Sequence, residues 1–252
     1  MTKVVLLGFG NVNSHLIKAF HKSKNASVVQ VFNRSSIVLD SAYRHIPVTN
    51  KIEDILDADV YIIGISDDAI ASFSKSLQFK NKLVVHTSGG VSMDLLSNKN
   101  RRGVFYPLQT FSKQKQVDFS NIPVCIEAEN PNDLKFLQSL GETISESVEE
   151  ISSEKRAKLH LAAVFVNNFV NYLYIIGEDI LNNENISFSL LKPLIKETAA
   201  KIENLNPEAA QTGPAKRNDT KTIEKHLSLI EKDSHKEVYK MITEQLKNHW
   251  KQ

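Results

Sequence analysis

Cysteine is nearly absent from this sequence, with Cys125 alone among 252 residues. Intrachain disulfides and multi-cysteine zinc sites are thereby excluded, and no metal site is expected. A dominant charge is also missing. Lys and Arg number 31 against 29 Asp and Glu, a formal net charge of +2. So small an imbalance gives no reason to expect nucleic acid or an anionic membrane as partner. No run of about 18 apolar residues is found, so no transmembrane helix is expected. The N-terminus reaches Gly8 too soon for the apolar core of a signal peptide, and a cytoplasmic location is expected. What is present is ordinary globular composition, 41% hydrophobic and 24% charged. That excludes disorder and fibrous repeats. At roughly 100–200 residues per domain, one large or two modest domains are expected.

The first half alternates short β-branched runs with helical stretches. Val4 to Leu7, Val28 to Phe32, Val60 to Ile63, Leu83 to Val85 and Val104 to Tyr106 are such runs, and Pro123 to Ile126 follows. They are continuous rather than alternating, as strands buried on both faces should be. Separated by helices, they predict βαβ units in a doubly wound parallel sheet. After about Ser145 the pattern changes. A long helical stretch is expected from Glu149 to about Leu181, with Ser153 as its cap. Further helices are expected near 189–204, 221–231 and 235–247, and the lysine-rich end from Lys247 to Lys251 reads as a solvated helix terminus. The expected organisation is an α/β domain over residues 1–150 and an all-helical domain over 151–252.

Gly8-Phe9-Gly10-Asn11-Val12-Asn13 follows the first strand and precedes a helix expected over 14–23. In a dinucleotide fold the first glycine makes a tight turn and the second lets backbone approach a pyrophosphate. The helix N-terminus then offers free N–H groups and partial positive charge. Asn13 stands where a third glycine would be, so the motif is incomplete, and a plain strand–helix turn reads the same way. The second strand ends in Asn33-Arg34-Ser35-Ser36, with no Asp or Glu to hold two ribose hydroxyls. A guanidinium with two hydroxyls suits a 2′-phosphate, which points to NADP. Ser66, His86 and Ser88 lie at later strand ends, where ligands bind in open α/β sheets. His86 could equally be a core histidine bonded to backbone, and Asp68 reads best as a helix N-cap.

At 100° per residue, His160, Asn167 and Asn171 form one polar stripe on an otherwise apolar helix, with Arg156 near its start. Asparagine is a weak helix former and a poor choice for a solvent face, so the stripe is expected to line a polar cleft. Histidine exchanges protons near neutral pH, which makes His160 a candidate general acid and Asn167 a candidate polarising group. Phe165, Phe169, Tyr172, Leu173 and Ile176 supply more apolar surface than a small helical half hides alone, so a homodimer is expected. Gln211-Thr212-Gly213-Pro214 is a rigid turn, and Lys216 and Arg217 after it could hold an anion.

Several segments together resemble a known family. They are residues 8–16, Val85 to Gly89, Gly103-Val104-Phe105-Tyr106-Pro107-Leu108-Gln109-Thr110-Phe111, His160 to Phe169, and Gln211 to Asp219. The chain resembles the bacterial Rossmann-like proteins with a helical C-terminal domain of uncharacterised function. These are relatives of pyrroline-5-carboxylate reductase and of NADP oxidoreductases of the 6-phosphogluconate dehydrogenase type. The resemblance implies an NADP-binding Rossmann domain, dimerisation through the helical domain and a small-molecule substrate, an imine or a carbonyl compound. It does not name that substrate. Pyrroline-5-carboxylate reductases have a comparable loop for a substrate carboxylate, which implies substrate binding by Thr212, Gly213 and Arg217. Hydroxyacid dehydrogenases of the wider superfamily place a lysine one turn before an asparagine pair. Here Ala163 and Val164 precede Asn167-Asn168, so that lysine is missing. The missing lysine also allows a second reading, a protein that senses NADP(H) without turnover.

Overall fold

The structure is a computed structural model describing residues 1–250. Lys251, in the lysine-rich end, lies outside the described residues. Two compact units are present, residues 1–167 and those from Asn168 onward.

The first unit carries eight strands: β1 Thr2–Leu7, β2 Ala26–Phe32, β3 Val48–Thr49, β4 Val60–Ile63, β5 Leu83–His86, β6 Arg101–Pro107, β7 Val124–Ala128 and β8 Val148–Glu150. Their order across one sheet is β3-β2-β1-β4-β5-β6-β7-β8. The order reverses at β1, which pairs in parallel with both β2 and β4. Ligands in such sheets bind at that switch point, outside the carboxyl ends of the strands. Helices α1 Asn11–Lys22, α2 Asp67–Ser76 and α3 Pro131–Glu142 form the crossovers from β1 to β2, β4 to β5 and β7 to β8. Alternate residues of β1 feed opposite cores. Val4 and Leu6 pack with Leu16, Phe20, Ile62 and Phe105 on one face. Val5 and Leu7 pack with Phe32, Tyr61, Ile63 and Ile70 on the other. Burial on both faces is why these strands read as unbroken apolar runs.

The structure departs from the expected sheet in three places, the first being the short edge strand β3 added beside β2. β7 runs antiparallel to β6, with Tyr106 opposite Cys125. No α-helix lies between Pro107 and Pro123 to carry the chain back, so the strand returns from the end where it left. Val148–Glu150 is a strand, not the start of the long helix, because Val124 to Ile126 offer it a parallel partner. Helix α4, Ser153–Ala163, therefore begins later, and its cap is Ser152, whose hydroxyl accepts the N–H of Lys155 at 3.4 Å. Ser153 is occupied elsewhere: its N–H and its hydroxyl both donate to Glu127, at 2.8 and 2.6 Å.

Residues Val164–Phe169 form a π-helical turn between α4 and α5, Val170–Asn183. With i→i+5 bonds each residue turns through less than 100°. The single stripe expected of His160, Asn167 and Asn171 on a regular α-helix is therefore not kept. The whole helical run Ser153–Asn183, 31 residues, is long and apolar enough to cross a membrane by length and composition. It holds no unbroken apolar run of that length, since His160, Asn167, Asn168 and Asn171 interrupt it.

The α-helices of the second unit among its described residues are α5, then α6 Lys192–Asn204, the short α7 Pro207–Ala210, α8 Thr220–Leu229 and α9 Asp233–His249, with no strand among them. Asp219 caps α8, accepting from Thr222 N–H at 3.1 Å. Lys232 pairs with Asp179 at 2.5 Å. Among the described residues of this unit, the only buried hydrophobics are Ala215, Ile223 and Ile230. Leu173, Ile175, Leu190, Leu194, Ile202 and Leu205 are all exposed.

Candidate functional site

A cleft of about 930 Å³ opens over the switch point, lined entirely by residues of the first unit. At one end is the glycine turn. Gly8 has φ +87°, and a Cβ there would lie 2.3 Å from the Ile65 side chain and 2.9 Å from Gly64 O. A side chain is therefore excluded both by conformation and by space. A Cβ on Gly10 would come within 3.3 Å of Gly64 O. Helix α1 starts directly after, earlier than position 14, with Gly10 as N-cap, no side chain capping it and no acid in its first turn. Its leading N–H groups are thus left for a ligand, and an anion is the ligand that a helix N-terminus favours.

Asn13 explains how the turn works without a third glycine. It is fully buried, and its Nδ2 donates to Leu7 O at 3.3 Å, Gly8 O at 2.8 Å and Ile62 O at 3.3 Å. The asparagine ties the helix to β1 and β4 where a glycine would allow bare backbone contact. Gly64 is its counterpart, since a Cβ there would lie 2.5 Å from Asn13 Cγ.

Asn33 accepts the Phe9 N–H at 3.0 Å and donates to Ser35 O at 2.8 Å. It therefore links the glycine turn to the loop carrying Arg34 and Ser35. Phe9, Gly10, Asn11, Val12, Asn33, Arg34 and Ser35 all line the cleft. Arg34 and Ser35 are exposed. Ser66 also lines it, and it, not Asp68, occupies the N-cap position of α2. Ser88 lines the wall, but its hydroxyl accepts from Gly90 and Val91 N–H, both at 3.1 Å, so it shapes its own loop.

His86 does not line the cleft. It is fully buried at the end of β5, and its Nδ1 accepts the Ser88 N–H at 3.2 Å. The role expected for it at the nucleotide is corrected: it is the core histidine that fixes the loop. Burial, and then the nearby Arg156 charge, depress its pKa to about 3. The unfolded chain binds this proton below its ordinary value of 6.5, while the folded chain refuses it down to about 3. Stability is therefore full above pH 6.5 and falls as pH drops through that window. The slope is about 1.4 kcal/mol per pH unit. Urea titrations at pH 7 and pH 5 should show about 2 kcal/mol lost to this residue. The His86→Gln variant should lack that part of the slope.

At the other end of the cleft stands His160, whose Nδ1 lies 3.2 Å from the Tyr106 hydroxyl. Asp67, Gln109, Thr87 and Gly89 line the same region. Tyr106, Gln109 and Asp67 were not anticipated as site residues. Tyr106 is the last residue but one of β6, and its signals were that position and the resemblance segment it shares with Gln109. Asn167 is exposed in the π-helical turn and is not among the cleft-lining residues. Arg156 is not a cleft residue either. It is fully buried and pairs with Glu127 Oε2 at 2.6 Å, which pins α4 to β7.

Thr212, Gly213 and Arg217 belong to the second unit. Gly213 has φ +111°, as a rigid glycine turn requires. Thr212 and Arg217 are exposed. Lys216, expected to be available to an anion, instead donates to Gln211 O at 2.9 Å and lies 4.1 Å over the Trp250 ring.

Comparison with known proteins fits this geometry. Over 98% of both chains, the protein is 36% identical to one from Bacteroides fragilis described as a candidate NADP oxidoreductase, with a TM-score of 0.90. The chain belongs to that protein's family. Residues 122–246 match a family profile described as a domain of unknown function, DUF2520. A pyrroline-5-carboxylate reductase of Streptococcus pyogenes aligns over 98% of both chains at 14% identity and a TM-score of 0.65. An imine reductase of Myxococcus stipitatus, solved with NADP+, aligns over 98% of this chain and 92% of its own, at 12% identity and a TM-score of 0.63. These two likenesses show the fold. No curated protein matches the sequence. The expected family membership and the expected Rossmann-like fold with a helical C-terminal region both hold.

Proposed function

We propose that the protein is an NADP-dependent oxidoreductase acting on a small imine or carbonyl compound. One observation carries this reading: a single cleft joins an uncapped helix N-terminus and Arg34 at one end to His160 and Tyr106 at the other. The family relative described as an NADP oxidoreductase supports it. The Gly8 turn suits close approach of a dinucleotide, since any Cβ there would fill it. Gly8, Phe9, Gly10, Asn11 and Val12 would face the pyrophosphate, and Asn33, Arg34 and Ser35 the 2′-phosphate. Ser66 and Ser88 would lie toward the nicotinamide, which supplies or takes up hydride when bound. His160 would exchange a proton with the reacting heteroatom. On the second unit, the turn carrying Thr212, Gly213 and Arg217 would offer a place for an anionic group. In this reading residues 1–150 are the nucleotide-binding domain and 151–252 the dimerisation and substrate domain.

Calorimetry with NADP and NAD tests the cofactor. The wild type should prefer NADP, and Arg34→Ala should weaken NADP binding tenfold or more, on the order of 1.5–3 kcal/mol, with little change for NAD. Equal affinity of the wild type for both nucleotides would defeat the assignment.

A homodimer built by the helical unit is part of the same proposal. With so few of its hydrophobic residues buried, this unit lacks a core of its own, and a second copy would cover its exposed Leu and Ile side chains. Sedimentation at micromolar concentration should give twice the chain mass. A monomer, or recovery only with membranes, would contradict it.

A further inference from the structure

The contact between Tyr106 and His160 has a chemical direction, and it extends the proposed function on which it rests. The two rings meet edge to face at 80°. Tyr106 is 8% exposed. A Cβ on Gly89 would lie 2.6 Å from His160 Nδ1 and 2.8 Å from Tyr106 Cζ. The pair thus closes over a residue that must lack a side chain, and the Nδ1–Cγ edge of the imidazole faces it. The opposite edge, carrying Nε2, is turned away from both Gly89 and Tyr106.

Phenol is a stronger acid than a neutral imidazole N–H, and an imidazole nitrogen is a stronger base than a phenol oxygen. The favoured hydrogen bond between them therefore runs from O–H to nitrogen. Burial pushes the Tyr106 pKa up to about 12, so the hydroxyl keeps its hydrogen to donate. A ring that accepts at Nδ1 must carry its own hydrogen at Nε2, and accepting there strengthens Nε2–H as a donor.

We propose that Tyr106 donates its hydroxyl hydrogen to Nδ1 of His160, holding the neutral ring as the Nε2–H tautomer, and is the second member of a proton relay. The step balances. When a carbonyl group is reduced, its oxygen becomes alkoxide, a stronger base than phenolate. The Nε2–H bond breaks as the new O–H bond forms, and Nδ1 takes the hydrogen that leaves the tyrosine oxygen. The negative charge thus moves from alkoxide to tyrosinate, which solvent water reprotonates. Tyr106 is a positioning residue in the resting protein and a proton source only through His160.

Nitrogen-15 NMR of the full chain labelled in histidine tests this without any substrate. The His160 signals are assigned by their loss in His160→Asn. At a pH where the ring is neutral, the wild type should show the Nε2–H tautomer, and Tyr106→Phe should shift the ring toward a mixture. An Nδ1–H ring in the wild type, or an unchanged ring in Tyr106→Phe, overturns the proposal. The wild-type spectrum decides alone if the variant does not fold. With NADPH and a ketone found by screening, Tyr106→Phe should lower kcat tenfold or more while KM and NADPH affinity stay near wild type. A wild type that binds no NADPH would defeat the proposed function and leave the tautomer result standing.

Discussion

Replacing His160 by alanine is expected to lower turnover by about 10²–10⁴-fold, the contribution of a positioned general acid. NADP affinity should stay near wild type, because the glycine turn and the Arg34 loop lie at the far end of the cleft. The two effects separate because a carbonyl or imine that accepts hydride gains electron density at its heteroatom and needs a proton there. Nothing in binding the nucleotide needs that proton. His160 sits on α4, held by Tyr106 and seated over Gly89, so its removal opens a polar gap in the cleft wall without touching the sheet core. Single-turnover measurements on a screened substrate check the rate, and calorimetry checks the affinity. A variant with wild-type kcat would make His160 a packing residue and place the proton source elsewhere.

Glu127→Ala is expected to cost the fold about 3–5 kcal/mol, the usual penalty for leaving a buried charge without its partner. Arg156 is fully buried and bonds Glu127 Oε2, Ser153 Oγ and Val91 O. Glu127 also accepts the N–H and hydroxyl of Ser153, the first residue of α4. Without the carboxylate, the guanidinium is stranded in low dielectric and the helix start loses two bonds. Arg156→Met with Glu127→Leu should recover much of that loss, because an apolar pair removes both charges together. Denaturant titration of the single and double variants reads this directly. A single variant within about 1 kcal/mol of wild type would mean that water reaches Arg156 after all. The same variant bears on function, since α4 carries His160.

Much of the first unit was legible in the sequence because its signals are local. Unbroken apolar runs mark strands covered on both faces. A G-x-G between strand and helix marks the switch point, and an Arg-Ser-Ser follows β2 at the same cleft. Each reads from fewer than ten neighbouring residues, and Gly8, Asn33 and Arg34 line one cleft. The sequence alone also determined the helical character of the second half and its surplus of apolar side chains. Tertiary structure decided the rest. Val148–Glu150 has too little pattern of its own to read as a strand and becomes one because β7 offers hydrogen bonds. The π-helical turn breaks a stripe that an ideal period drew, because one extra residue per turn alters every angle beyond it. His86 reads as a site residue by type and position, yet it is spent on the Ser88 backbone, and Arg156 at the start of the stripe is spent on Glu127. Tyr106, Gly89 and His160 come from three separate stretches and meet only when the sheet and α4 bring them together. Periodicity and motif spacing describe neighbours along the chain, whereas the chemistry at the far end of this cleft depends on neighbours in space.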